Sequence, residues 1–294
     1  MAAGRSSTED NRKYYLLNKN VPIAEFHMDT RLDSIVIDRQ LQELPAWFGD
    51  LRVFIANRRA PKHRENIREL LELSGCDTLK GFIDISHALS LIDTFWAKPV
   101  DSIFSWEDLS LYTHPFNETI AKTAFEGGRH GRQLSTTSPE YGTDGSFAKC
   151  WIREGDTIKM LKRGSSGARN AGLEPYSEYY ASQLVGRFTD DFVSYGLRTH
   201  EKRICSVCDI FTSENYGFLP YAAVDSSNST IASVLRKMEE FGLEEETKRM
   251  FVIDAVIFNE DRHKNNFGFI VNNDTQVIEG MAPGSAGGAD PSEY

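Results

Sequence analysis

The stretch that decides the fold is Asn259-Glu260-Asp261-Arg262-His263-Lys264-Asn265-Asn266-Phe267-Gly268. It follows an apolar-rich run at 244–258 that reads as a helix, and Gly242 separates that run from a second helical one at 229–241. Asp261 lies five positions before Asn266. A loop of that length can curl so that both side chains face one cavity. The Asp261 carboxylate would then accept a proton from, or orient, an attacking hydroxyl. The Asn266 carbonyl oxygen would ligate a magnesium ion without adding charge that repels phosphate. Taken alone, Asp-x-x-x-x-Asn is common in polar surface turns. Asn259, Arg262 and His263 around it make this the densest block of chemistry in the chain.

Upstream, 147–153 and 157–162 read as two strands joined by a turn at Glu154-Gly155-Asp156. Lys162 shares the parity of Ile158 and Met160, so its stem points with them into the lobe. A lysine facing inward needs a partner. Glu178 can supply it from a helix at 175–187, which Pro175 opens. An exposed edge lysine is the plainer alternative. A strand Lys held by a helix Glu, and an Asp followed at this spacing by Asn, are two working parts of kinase-type phosphoryl transfer. A third is a glycine-containing loop whose N–H groups close over phosphates, and Thr143-Asp144-Gly145, with Ser138 and Gly142 upstream, fits it. A flexible linker is an equally good reading of that loop in isolation. Lys162-Arg163-Gly164-Ser165-Ser166-Gly167 is not a Walker A sequence, because its Lys is on the wrong side of the glycines.

The remaining chemistry is thinner. Cys205 and Cys208 sit three apart in an apolar strand at 203–211, which turns them to opposite faces, and the four cysteines together make no disulfide scaffold. No metal-binding histidine spacing and no Gly-x-Ser-x-Gly elbow is present. The 294 residues are 40% apolar and 26% charged, which excludes a disordered, collagenous or coiled-coil chain. Basic residues number 33 against 43 acidic ones, a net charge of −10, so holding nucleic acid by bulk electrostatics is not expected. No apolar run is long enough to span a bilayer, and the cysteine usage predicts a reducing, cytoplasmic setting.

Composition predicts a terminus at 1–13, an N-terminal unit at 14–127, a second unit at 128–220, a helical one beginning at 221–283, and a Gly/Ala tail at 284–294. In the first unit, 21–41 alternates weakly as β structure, and 61–75 reads as a helix with Ile67, Leu70, Leu71 and Leu73 on one flank and Gly75 as its stop. Arg58-Arg59 through Lys62-His63-Arg64 reads as a solvated helix start. The aromatics Phe95, Trp96, Phe104, Trp106, Tyr112 and Phe116 read as packing. Five glycines at 127–145 suggest a domain boundary and a mobile loop.

Three blocks together resemble the HipA-like serine/threonine kinases. They are Thr143-Asp144-Gly145 through Lys149-Cys150-Trp151, then Lys162 with Glu174-Pro175-Tyr176-Ser177-Glu178, and Ile253-Asp254 through Asn259-x-Asp261-Arg262-His263-x-x-Asn266-Phe267-Gly268. The segment Leu89-Ser90-Leu91-Ile92-Asp93-Thr94-Phe95-Trp96-Ala97-Lys98-Pro99 resembles one found ahead of the kinase domain in some members, so the likeness covers roughly 89–283. The resemblance implies an α+β, bilobed protein-kinase-like fold: a small β-rich lobe and an incomplete all-helical large lobe, preceded by an N-terminal α/β appendage. It implies ATP and Mg2+ as cofactors. Asp261 would be the catalytic base, Asn266 a magnesium ligand, Lys162 the phosphate-binding lysine and Glu178 its partner. Thr143, Asp144 and Gly145 would lie over the nucleotide, and Asp209 and Phe211 at the adenine hinge. Asn259, Arg262 and His263 would support the catalytic loop. The substrate would be a protein hydroxyl, and an antitoxin-like partner is implied because such kinases often act as growth-arresting toxins or regulators.

The sequence departs from that pattern after Met281-Ala282-Pro283. Ala286 stands about where the family places a second metal-binding Asp, and Asp290 is the nearby substitute, in a Gly/Ala tail. The expectation is therefore kinase ancestry with little or no phosphotransfer by this chain alone. A non-catalytic nucleotide-binding pseudokinase or an interaction module is the competing class.

Overall fold

The computed structural model describes residues 12–131, 134–165, 172–227, 230–260 and 262–285. Strands β1 (Lys13–Asn18), β2 (Val21–Asp29) and β3 (Ser34–Gln40) form an antiparallel meander, and β4 (Phe95–Pro99) joins on the free side of β1. Alternation along the strands sends Tyr14, Leu16, Phe26 and Met28 to one face. That face packs on helices α1 (Leu51–Ala56), α2 (Ile67–Ser74) and α3 (Leu79–Ser86), which contribute Ile55, Ile67, Leu70, Phe82 and Ile83. Helix α2 stops at Gly75, whose φ of +82° suits only glycine well, as the sequence predicts. It starts at Ile67 rather than near 61, because Asn66 takes a left-handed conformation (φ +66°) that no α-helix can contain.

Two short helices follow. A reciprocal Ser105–Asp108 capping box starts α4 (Trp106–Leu109). Helix α5 (Glu118–Glu126) begins where the Asn117 side chain accepts from the Ile120 N–H at 3.1 Å. It carries Ala121 and Phe125 onto a second sheet, against Cys150, Leu161 and Cys205.

That sheet has the order β5-β6-β9-β8, antiparallel throughout, built from β5 (Lys149–Glu154), β6 (Thr157–Arg163), β8 (Tyr195–His200) and β9 (Arg203–Asp209). The hairpin and strand expected from the sequence are all present, with Gly155 at φ +59° in the turn. Helix α6 (Glu174–Val185) and the short β7 (Phe192–Val193) connect β6 to β8. The third part holds β10 (Tyr216–Pro220), α7 (Tyr221–Val224), α8 (Ile231–Glu239), α9 (Glu244–Ile257), β11 (Gly268–Asn272) and β12 (Ile278–Met281). Strands β10, β11 and β12 form one sheet in that order, and β13 (Gly284–Ser285) pairs in parallel with β7. Tyr221, Met238, Met250, Phe267 and Phe269 form its core. The whole is the bilobed α+β architecture expected, with the N-terminal appendage in place, except that the third part is not all-helical: its helices are joined by the β10-β11-β12 sheet.

Two further expectations need correction. The glycine-rich 127–145 stretch is not a loose loop where it is described. Leu134 and Tyr141 are buried in the N-terminal core, and Pro139–Gly142 is a 3-10 turn. Its glycine count masks two apolar anchors. The Arg58–Arg64 cluster is solvated only in part: Lys62 and His63 are exposed, but Arg58 and Arg64 are buried. Arg58 is buried and forks onto Asp93, Nη1 to Oδ2 and Nη2 to Oδ1, each at 2.7 Å. Arg58 also donates to the carbonyls of Ala88 at 2.7 Å and Phe95 at 2.8 Å.

The helices of the third part expose apolar side chains: Ile231, Val252, Val256 and, at 84% exposure, Phe258. Tyr180, Leu184 and Phe188 on and beyond α6 are exposed as well. Among the described residues no helix is long and apolar enough to cross a membrane.

Candidate functional site

Lys162 stands in the middle of three neighbouring strands, opposite Lys149 on β5 and Ser206 on β9. Directly opposed residues of an antiparallel sheet share a face, and this is the face that α6 covers. The Lys162 ammonium pairs with Oε1 of Glu178, and Oε2 of Glu178 accepts from the Ser206 hydroxyl. Glu178 is only 2% exposed, so both oxygens are spoken for inside the protein. Lys162 Nζ also lies 5.3 Å from the centroid of the Phe147 ring.

Helix α6 is fixed from both sides. The Tyr195 N–H donates to Ser182 Oγ at 3.2 Å, and Val185 packs on Ile253 of α9. The expected pairing of strand lysine and helix glutamate is therefore formed.

Lys149 was not singled out by sequence reasoning. It is buried, and its Nζ donates to the Asp144 carbonyl at 2.7 Å. Burial, and then the charges of Lys162 and Arg64, push its pKa down to about 7. At Gly145 φ is +94°, which favours glycine, and a Cβ would lie 2.3 Å from that Nζ and displace it from the loop. The sequence predicts a first strand that ends one residue early, at 153; with Glu154 paired to Thr157, Lys149 falls opposite Lys162.

The loop before β5 is tightly bonded. Thr143 Oγ1 donates to Pro139 O at 2.7 Å and accepts from the Trp151 indole N–H at 2.8 Å. Asp144 Oδ1 accepts from the Gly145 N–H at 2.7 Å. Glu140 is fully buried, and its carboxylate takes the Trp151 backbone N–H at 2.9 Å and the Ser138 hydroxyl. Burial raises the pKa of Glu140. Thr143, Asp144 and Gly145 are thus brought to the lysine pair through Lys149.

Asp209 is placed differently. It ends β9 opposite Lys159 and pairs with it, three residues from Lys162 and so on the other sheet face. Only its backbone can serve the Lys162 side. Phe211 is part-exposed and meets Phe218 edge-on at 5.7 Å.

The loop after α9 is organised by Asp254. Arg262 grips it with two bonds, Nε to Oδ2 at 2.8 Å and Nη2 to Oδ1 at 2.7 Å, with both side chains buried. Asn259 donates its amide to the same carboxylate at 2.8 Å, and its backbone N–H reaches Asp254 O at 2.9 Å. Arg262 Nη1 donates to Asn266 O at 3.2 Å, and the Asn266 N–H to His263 O at 3.1 Å. The chain can turn here because Phe258 adopts φ +54° at the helix end. At Gly268 any Cβ would strike Leu219 O at 2.1 Å. Asn259, Arg262, His263 and Asn266 therefore form one network centred on Asp254, a residue of the quoted block to which the sequence assigns no role. An acidic residue inside an apolar helical run was its signal. Asp261 lies outside the described residues, as do Ala286 and Asp290.

The buried Tyr195 feels both halves: its phenol lies within electrostatic reach of Glu178 and Arg262, and burial holds its pKa well above 10. The cysteines are free, buried and inert, with Cys205 and Cys208 in separate apolar clusters. Among the described residues no group of three or more His, Cys, Asp or Glu side chains could hold a metal ion. The described atoms alone do not make a magnesium site.

No protein-family model matches the chain, and no curated protein matches it. Solved structures are similar to it, among them the following two. HipA of Shewanella oneidensis MR-1, from a toxin–antitoxin complex with HipB and operator DNA, matches 92% of this chain and 74% of its own, with 11% identity and a TM-score of 0.53. The proinflammatory kinase CtkA of Helicobacter pylori matches 51% of this chain and 57% of its own, with 22% identity and a TM-score of 0.44. The chain therefore spans just over half the length of CtkA. The likeness to HipA shows that this chain has the HipA-like kinase fold.

Proposed function

We propose that this chain binds ATP with its phosphates against Lys162 and the 143–149 loop, and that it is a serine/threonine protein kinase of the HipA-like class. The observation that carries this is the Lys162–Glu178 ion pair, locked by Ser206 and flanked by a second lysine on the same sheet face. Phosphoryl transfer asks the protein mainly for positioning and for cationic and N–H groups around the phosphates. Lys162 supplies a fixed ammonium, Glu178 keeps it from drifting, and Lys149 adds charge beside it. Asp261 would orient the attacking hydroxyl of a protein substrate. The Asp254–Arg262 clamp would hold the loop on which Asp261 and Asn266 sit.

A bound magnesium ion would neutralise phosphate charge, and Asn266 is the described residue that would contact it. The described residues do not complete that site, and no step is routed through it. The departure at Ala286 supports a second reading, a nucleotide-binding protein with weak or no turnover. HipA is bound to HipB and operator DNA in its solved complex. By analogy an antitoxin-like partner is proposed here, in a cytoplasmic setting. The acidic balance of the chain speaks against direct nucleic-acid binding.

The test is incubation of the purified chain with labelled ATP and magnesium, beside Asp261→Ala. Label transfer that the substitution abolishes supports the kinase. ATP binding without transfer supports the second reading, and no ATP binding removes both.

A further inference from the structure

Residues 60–65 of the N-terminal unit hold the 138–146 loop by its carbonyls. The Ala60 N–H donates to Tyr141 O at 2.6 Å, and the Glu65 N–H to Ser146 O at 2.9 Å. Between them Arg64 reaches Glu140 O through Nη2 at 2.9 Å and Thr143 O through Nη1 at 2.7 Å. On the same stretch Gly142 is pressed against the N-terminal unit. A Cβ there would lie 3.0 Å from Arg58 O and 3.1 Å from Leu89 O.

Arg64 is 2% exposed. Its guanidinium donates to two backbone carbonyls of this one loop. Burying a guanidinium is costly, and burial pushes its pKa down to about 10, which still leaves it cationic at neutral pH. The use of so expensive a group is orientation. In a trans peptide the C=O of one residue and the N–H of the next point in opposite directions. With Thr143 O held by Arg64 and Ser146 O by Glu65, the N–H groups of Asp144 and Phe147 turn away from the N-terminal unit. The guanidinium behind those peptides also aligns with their dipoles and favours an anion on the far side.

We infer that Arg64 is a positioning residue for the phosphate loop: through the carbonyl of Thr143 it fixes a peptide plane whose N–H, that of Asp144, meets the nucleotide's phosphates, while its bond to Glu140 O anchors the turn before it. The N-terminal unit is then a working part of the nucleotide site rather than an appendage to it. This rests on the ATP-binding reading above.

The test is calorimetric titration of the full chain with ATP and, separately, with adenosine, which has no phosphates for the loop to hold. The variants are Arg64→Met, Arg64→Lys and Gly142→Ala, with Lys162→Met as the control for the nucleotide reading. Arg64→Met and Gly142→Ala are expected to weaken ATP about tenfold or more while adenosine stays within about twofold of wild type. Arg64→Lys, which keeps the charge but not the fork, is expected to recover part of the loss. Should Arg64→Met fail to fold, Gly142→Ala and Arg64→Lys carry the same comparison. ATP affinity unchanged in these variants, or ATP and adenosine falling in parallel, overturns the inference. If wild type binds ATP through Lys162 while the Arg64 and Gly142 variants are neutral, only the role of Arg64 is lost. A wild type that binds no ATP removes the nucleotide reading as well.

Discussion

Lys149 and Lys162 face each other directly across the β5–β6 pairing, one ammonium bonded to the Asp144 carbonyl and the other to the Glu178 carboxylate. Like charges in that relation destabilise a sheet. Here Glu178 compensates one of them, while the other is left with a depressed pKa. A pair of cations held together at a cost is what an anionic ligand would relieve.

The first prediction concerns pH. The pKa of Lys149 falls from 10.5 to about 7, through burial first and then the neighbouring Lys162. Between those values the unfolded chain holds the proton and the native protein does not, so this group makes stability rise with pH across that window. Phosphate binding needs the charged form, so its dependence runs the other way. ATP affinity is expected to fall several-fold, up to about tenfold, from pH 6.5 to 8.5. Titrations at the two pH values should show that loss in wild type and a weak, flat response in Lys149→Met.

A second prediction concerns the N-terminal unit. Arg58 and Asp93 form a buried fork, and removing one partner strands the other charge. Arg58→Met should destabilise the protein by about 3–5 kcal/mol, seen as a clear drop in Tm. A Tm unchanged within a degree or so would mean that the pair does not hold α1 to β4.

A third concerns the loop after α9. Asp254→Asn keeps the shape and removes the charge that Arg262 grips at 2.7 Å and 2.8 Å. Phosphotransfer, or nucleotide-linked protection of this loop in hydrogen exchange, is expected to fall about tenfold or more, because the loop carrying Asp261 and Asn266 loses its anchor. Adenosine binding should be unaffected.

A fourth is a stabilising change. The β8–β9 turn places Glu201 at φ +46° and Lys202 at φ +62°, both non-glycine. Lys202→Gly should raise stability by about 0.5–1 kcal/mol, since the strain of a left-handed residue outweighs the added freedom of the unfolded chain. The denaturant midpoint should move up without a change in slope.

Much of the fold was legible because local patterns agree with it. The β5–β6 hairpin follows from a short turn around Gly155 between two strand-like runs, one residue shorter than the Glu154-Gly155-Asp156 turn expected, and Gly75 and Gly242 mark helix ends by conformations few other residues tolerate. Lys162 and Glu178 could be paired on parity and need. The misses share another cause. Arg58 and Arg64 read as solvated because a sequence window shows charge but not the Asp93 carboxylate or the loop carbonyls that meet it from residues 35 to 79 positions away. Leu134 and Tyr141 were hidden among glycines for the same reason. Asp209 kept its place at a strand end while its side chain turned to Lys159, a matter of strand parity that the sequence did carry.

The central claim is that Lys162 and Glu178 build the phosphate end of a nucleotide site. Equilibrium titration of wild type, Lys162→Met and Glu178→Gln with ATP tests it most directly. The account predicts saturable binding in wild type and a loss of about tenfold or more in each variant, with both still folded by circular dichroism. Equal affinity in all three, or no binding to the folded wild type, would contradict it.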